Sequence, residues 1–279
     1  MTNKKYSKTE TVAKDYYNSS EADQFYYNIW GGEDIHIGLY DNPRVSIAEA
    51  SRRTIELMAI QLKFNRKIPK LIDLGSGYGG AARYLVENYD YDITCLNISE
   101  EQNKRNQSIN KEQDFEEKIQ VVDGSFEKIP FEDELFDFAW SQDALLHSSK
   151  KEQVLQEIHR ILKKGGEFIF TDPMQKEGVS KDQLKPVLDR IHLESMASID
   201  FYTETAKKIG FAKLNVIDLT ENLGRHYKKV LEEVEQRYKE LVKLSSKDYI
   251  DKMKVGLENW VNASKKGYLS WGILHFKKL

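Results

Sequence analysis

One segment constrains this chain more than any other: Leu71-Ile72-Asp73-Leu74-Gly75-Ser76-Gly77-Tyr78-Gly79-Gly80. A short apolar run, the pattern of a buried strand, leads into four glycines within six residues, and a helical pattern resumes at Ala81. Glycines are needed where a backbone turns sharply and approaches a ligand without Cβ atoms in the way. The amide N–H groups at the start of the following helix then face an anionic or carboxylate-bearing ligand. Read through Gly75, Gly77 and Gly80, the segment is a dinucleotide-type fingerprint. It leaves two chemistries open: hydride transfer with a nicotinamide, or methyl transfer from S-adenosyl-L-methionine.

The surrounding pattern supplies the sheet that such a loop needs. Strands are expected at Leu71–Leu74, Asp92–Ile98, Lys118–Val122, Leu135–Trp140, Glu167–Thr171, Phe211–Leu219 and Tyr268–Phe276. Helical spacing marks Val45–Phe64, Ala81–Asn88, Ser99–Lys111 and Lys151–Leu162, the last expected to stop at Gly165-Gly166. Ser99 with Gln102 suggests a capping box. Further helices are expected at Asp182–Met196, Phe201–Ile209, Leu223–Leu244 and Lys247–Ser264. Alternation of this kind argues an α/β fold, a mostly parallel sheet flanked by helices. The expected organisation is one domain over residues 1–279: an N-terminal helical cap (1–66), a cofactor-binding core (67–174), and substrate-side helices with the final strands (175–279).

Composition excludes several classes. With 279 residues, 40% hydrophobic and only 5 prolines, the chain can bury a sizeable core and is not low-complexity disorder. A net charge of −3 lacks the basic excess of a nucleic-acid binder. The lone Cys95 sits among strand residues and is expected to be a core thiol, and no metal-ligating set is expected. The start of the chain carries no apolar stretch of the kind a secretory signal has, and no segment has the ~20 apolar residues that span a bilayer. A cytoplasmic monomer or homodimer with a small-molecule substrate, and neither nucleic acid nor membrane as partner, is the expectation.

Three features favour the methyl donor over the nicotinamide. Asp73, directly before the glycines, can pair with the ammonium of a methionine moiety, whereas it would repel a pyrophosphate. Strand two ends in Asn97-Ile98 with Gln102 beyond, amides where a nicotinamide fold favours an acidic residue for the ribose. After strand three, Gly124-Ser125-Phe126, Ile129-Pro130-Phe131 and Phe136-Asp137 resemble the methyltransferase succession Gly-Asp-Ala, Leu-Pro-Phe, Phe-Asp. Ser125 stands where that pattern has an adenine-binding aspartate, and Asp123 is its neighbour.

Longer blocks sharpen the resemblance. Tyr16-Tyr17-Asn18-Ser19, Trp30-Gly31-Gly32-Glu33-Asp34-Ile35-His36-Ile37-Gly38, Trp140-Ser141-Gln142-Asp143-Ala144-Leu145-Leu146-His147-Ser148, Thr171-Asp172-Pro173-Met174 and Leu269-Ser270-Trp271-Gly272 are similar to the sarcosine/dimethylglycine N-methyltransferases of glycine betaine synthesis. Phosphoethanolamine methyltransferases share fewer of these blocks. The resemblance implies a Rossmann-like, seven-stranded, mostly parallel sheet whose last strand is antiparallel, with helices inserted before it. It implies direct methyl transfer from S-adenosyl-L-methionine to an amine nitrogen. Asp73, Gly75, Ser76, Gly77, Asn97, Ile98, Gln102, Gly124, Ser125, Phe126 and Gln142 would hold the cofactor. Tyr17 and His147 would form a catalytic lid pair; Tyr26, Trp30, Asp143, Met174 and Arg190 would bind substrate. Arg190 would clamp the carboxylate, unless it forms a surface ion pair with Asp189 or Glu194, and Met174 would touch the N-methyl groups unless it packs in the core. A phosphoethanolamine-type or other small-molecule amine methyltransferase is the alternative reading, and a ligand-binding module without catalysis and a nucleic-acid methyltransferase are more distant ones.

Overall fold

A computed structural model describes residues 6–62, 68–191 and 193–279. Its centre is a seven-stranded sheet in the order β3-β2-β1-β4-β5-β7-β6. The strands are β1 (Lys70–Leu74), β2 (Asp92–Asn97), β3 (Ile119–Asp123), β4 (Phe136–Gln142), β5 (Leu162–Gln175), β6 (Phe211–Asp218) and β7 (Leu269–Lys278). β1 to β5 run parallel, and β7 lies antiparallel between β5 and β6. The strand order reverses between β1 and β4, which opens a crevice beyond their carboxyl ends.

Alternating side chains fill both faces. Ile72, Ala139, Phe168 and Phe170 pack on one side with α6 (Lys151–Ile161) and α8 (Ile199–Ile209). Leu71, Ile93, Cys95, Phe138 and Trp140 pack on the other with α3 (Ile47–Ala59) and α4 (Gly80–Tyr89). Cys95 is the buried free thiol that its strand context implied. A third core joins the two ends of the chain. There α1 (Lys8–Asn18) and α2 (Ser20–Ile29) meet α7 (Lys181–Ile191), α9 (Thr220–Gln236), α10 (Tyr238–Leu244) and α11 (Lys247–Lys265) through aromatic residues. The remaining helix, α5 (Glu100–Glu112), follows β2. Among the described residues no helix is long and apolar enough to cross a membrane.

Several expectations need correction. Gly165-Gly166 does not cap α6: that helix ends at Ile161, and both glycines lie inside β5. Phe136 pairs with Leu162 but Phe138 with Glu167, so the glycines carry a bulge that absorbs the extra residues, with Gly165 at φ +76°. The expected helix over Leu223–Leu244 breaks at Arg237, whose guanidinium donates to the Asn28 carbonyl at 2.8 Å. The helix expected to reach Met196 ends at Ile191, with Met196 buried in the connection to α8. The far end of the expected helix Val45–Phe64, the 66/67 boundary and His192 lie outside the described residues.

Candidate active site

The loops after β1 to β4 converge on a cavity of about 90 Å³. Gly75 shows why the glycine pattern is required: φ is +76°, and a Cβ there would lie 2.5 Å from the Ala144 methyl. Gly75, Gly77, Asn97, Ile98, Gln102, Gly124, Ser125, Phe126 and Gln142 all line this cavity. Ser99 caps α5 by accepting from the Gln102 amide at 3.3 Å, but the Gln102 side chain does not complete the capping box. It accepts instead from Asn97 Nδ2 at 3.0 Å, which joins the two amides in the cavity wall. Gln142 Oε1 accepts from the Trp140 indole at 3.0 Å, leaving its buried Nε2 without a partner. The Ser125 hydroxyl accepts from the Glu127 amide at 2.9 Å.

Asp73 and Ser76 stand just outside the lining. Asp73 lies at the end of β1, immediately before the loop, only 3% exposed, and burial alone pushes its carboxyl up to about 7. A buried carboxylate that no neighbouring cation lowers suits a ligand that brings the positive charge itself. Ser76 turns toward the buried Cys95 thiol. An orphaned amide, a glycine cradle and a buried carboxylate together fit the sulfonium amino acid inferred from the sequence.

A second cavity, of about 70 Å³, shares Ala13, Tyr17, Ile35, Asp143 and His147 with the first. At this shared wall the Tyr17 hydroxyl stands 3.0 Å from His147 Nε2. His147 ends a 3-10 turn (Leu145–His147) anchored to β5, because the Leu146 amide donates to Asp172 Oδ1 at 2.9 Å. Burial, aided by the Lys151 and Arg190 cations, lowers the His147 imidazole to about 4, and burial raises the Tyr17 phenol well above its usual range. Both are therefore neutral at pH 7.

Asp143 adopts the left-handed region, φ +51°, at the end of β4. Its carboxylate accepts from the Ile37 amide at 2.7 Å and the Trp271 indole at 2.8 Å, tying the segment after α2 to β7. Tyr16, Tyr17, Tyr26 and Trp30 form an aromatic wall, with Tyr26 and Trp30 rings 5.0 Å apart. Arg190, in the last turn of α7, lines the same cavity. Asp189 pairs instead with Lys185 at 2.9 Å, and among the described residues no carboxylate pairs with Arg190, so the surface ion-pair reading fails.

Met174 does not reach the site. It is 0% exposed, in the core with Phe168 and Phe170, because β5 alternation turns it to the sheet face. Sequence reasoning also missed His36, Tyr227 and Trp260, which line the second cavity. His36 lay inside a quoted block, and its ring is held neutral at pH 7 by burial, near 4. Tyr227 and Trp260 gave no signal, since in charged helices such aromatics read as ordinary core positions.

Residues 72–170 match a protein family described as a methyltransferase domain. Over 98% of this chain and 99% of the relative, the sequence is 48% identical to the sarcosine/dimethylglycine N-methyltransferase of Aphanothece halophytica. It is 43% identical, over 96% of both chains, to the dimethylglycine N-methyltransferase of Parasynechococcus marenigrum (strain WH8102). The crystal structure of a candidate sarcosine dimethylglycine methyltransferase from Galdieria sulphuraria superimposes with a TM-score of 0.89 at 43% identity, covering 94% of this chain and 98% of that one.

Proposed function

This chain belongs to the sarcosine/dimethylglycine N-methyltransferases, enzymes that use S-adenosyl-L-methionine, and from that premise we propose which of its residues perform the reaction and on which amines. The substrates are sarcosine and dimethylglycine, carried toward glycine betaine. The observation that carries the reading is the pair of cavities meeting at Tyr17 and His147, with an arginine on the amine side that has no carboxylate partner among the described residues.

When bound, the cofactor supplies an electrophilic methyl group on a sulfonium. Asp73, buried beside the glycine loop, would pair with its ammonium, directly or through water; the Asn97–Gln102 amides would meet its ribose, and the Gly124–Phe126 stretch would border its base. Arg190 takes the substrate carboxylate, a match for a planar guanidinium. The amine nitrogen then faces the shared wall.

Nucleophilic nitrogen needs its lone pair. The amine enters in its neutral form and leaves its proton to solvent, because His36 and His147, the imidazoles that line the cavity, are both held neutral by burial and are too weakly basic to take it. His147 is a poor proton acceptor here. Moving a proton from an amine of pKa about 10 to an imidazole near 4 is uphill by roughly 8 kcal/mol. We therefore read the Tyr17–His147 pair as a latch that closes and dries the junction and orients the amine, and much of the rate comes from positioning. Positive charge grows on nitrogen as the methyl arrives, and the Tyr16, Tyr17, Tyr26 and Trp30 faces stabilise it. The enzyme works in the cytoplasm on a free amino acid, with neither nucleic acid nor membrane as partner.

A labelled-methyl assay against glycine, sarcosine, dimethylglycine and phosphoethanolamine tests the reading. Transfer to sarcosine and dimethylglycine is expected; transfer to phosphoethanolamine with neither of these would refute it.

A further inference from the structure

The second cavity holds polar groups that the latch and the aromatic wall leave unused. Arg190 Nε and Trp260 Nε1 are both buried and both without a hydrogen-bond partner. Each is a donor only, so neither has a tautomer that would turn it into an acceptor. They flank one ring: Trp260 stacks on Tyr227 with centroids 4.6 Å apart and planes 21° apart, and the Arg190 guanidinium lies 6.0 Å from the same ring. Two orphaned N–H donors around a shared aromatic ring, one of them on a cation that no described carboxylate neutralises, are the complement of one small anion with several acceptor lone pairs.

Helix α11 supplies a second, independent sign that this arrangement is built. One turn before Trp260 stands Gly256. A Cβ there would lie 2.2 Å from Arg190 Cδ and 2.7 Å from Nε. Glycine inside a helix costs about 1 kcal/mol against alanine, and here its missing methyl is the space through which the arginine stem passes. Gly256 and Trp260, four residues apart, share the helix face that meets α7.

We propose that α11 completes the carboxylate subsite: Trp260 Nε1 donates a second hydrogen bond to the amino-acid carboxylate held by Arg190, and Gly256 sets the position of that arginine. This rests on the cavity being the amine site. The subsite selects for carboxylate-bearing amines as a class, because an amine lacking the anion would leave both donors unpaired.

The test is calorimetric titration of dimethylglycine into the full-length enzyme saturated with S-adenosylhomocysteine, with the product's own affinity measured alongside. Trp260→Phe keeps the ring stack and removes the N–H. It should weaken dimethylglycine binding on the order of 10-fold or more, with S-adenosylhomocysteine affinity unchanged. Gly256→Ala favours the helix yet displaces a flexible side chain, so it should fold and weaken dimethylglycine binding similarly; it carries the test if Trp260→Phe fails to fold. Added to Arg190→Met, either change should have little further effect, since the clamp acts as a unit. Dimethylglycine affinity within twofold of wild type in a folded variant, or an equal loss of S-adenosylhomocysteine affinity, overturns the proposal. Wild-type enzyme that binds neither sarcosine nor dimethylglycine would instead overturn the substrate reading.

Discussion

Replacing Asp73 by asparagine should make the empty enzyme more stable and the cofactor complex weaker, and both effects follow from one burial. The carboxyl sits at the end of β1, 3% exposed, and burial raises it from the ordinary 3.8 to about 7. Because the folded state holds the proton more tightly than the unfolded chain, the contribution is fully present below pH 4. It is lost as pH rises toward 7 and flat above 8. At about 1.4 kcal/mol per pH unit, the difference corresponds to roughly 4 kcal/mol of penalty at pH 8, an upper figure because the carboxylate can draw in water. The asparagine amide does not titrate. Asp73→Asn should therefore melt a few degrees higher than wild type at pH 8 without cofactor, and the gain should shrink toward pH 5. Binding should move the other way. Loss of a charged hydrogen-bond partner for the methionine ammonium costs about 1.5–3 kcal/mol, or ~10- to 150-fold in Kd. Wild-type affinity should also fall about tenfold per pH unit below 7, as the carboxyl protonates, and that slope should vanish in the variant. Melting scans at pH 5 to 8, paired with calorimetry of S-adenosyl-L-methionine, measure both. A variant that melts lower at pH 8 and binds the cofactor as wild type does would refute the reasoning.

Arg190→Met should lower kcat/KM for sarcosine and dimethylglycine by a similar factor, about 2–5 kcal/mol or ~30- to several-thousand-fold, with cofactor affinity unchanged; a large change in the ratio of the two substrates would speak against a carboxylate contact. Tyr17→Phe should reduce both values about threefold to tenfold, the worth of one neutral hydrogen bond. It should leave the acid limb of the pH–rate profile in place, because His147 is already neutral well below pH 7; a limb that moves with the mutation would restore His147 as a proton acceptor. Met174→Ala should cost about 2–5 kcal/mol of stability in denaturant unfolding, as for a deleted core side chain, and leave the substrate ratio alone. Gly79→Ala should destabilise the fold measurably in the same assay. Its φ is +80°, and a new Cβ would lie 2.2 Å from Asn106 Oδ1, the group that receives the Arg83 guanidinium at 3.0 Å.

The lining of the first cavity was legible because it is local. Gly75, Gly77, Asn97, Gln102, Gly124 and Gln142 each lie within a few residues of a strand's carboxyl end, and a parallel sheet brings those ends to one edge. The corrections fall where competition between elements decides. Met174 follows the alternation of β5 into the core, although the resemblance implied a contact with the N-methyl groups. The glycine pair at 165–166, a helix stop by local rule, became a strand bulge because pairing with β4 continues through it.

Periodicity, glycine placement and contiguous blocks were enough for the α/β class, the seven strands within a few residues, the methyl-donor chemistry, and Tyr17 and His147 as candidates for one site. The second cavity exists only once the chain is packed. Its wall joins Tyr16, Tyr26 and Trp30 from the first thirty residues to Arg190, Tyr227 and Trp260 from the last ninety. No short-range pattern records that meeting. It depends on α11 approaching α7 closely enough that a missing methyl at Gly256 makes room for an arginine, a distance that only the packed helices set.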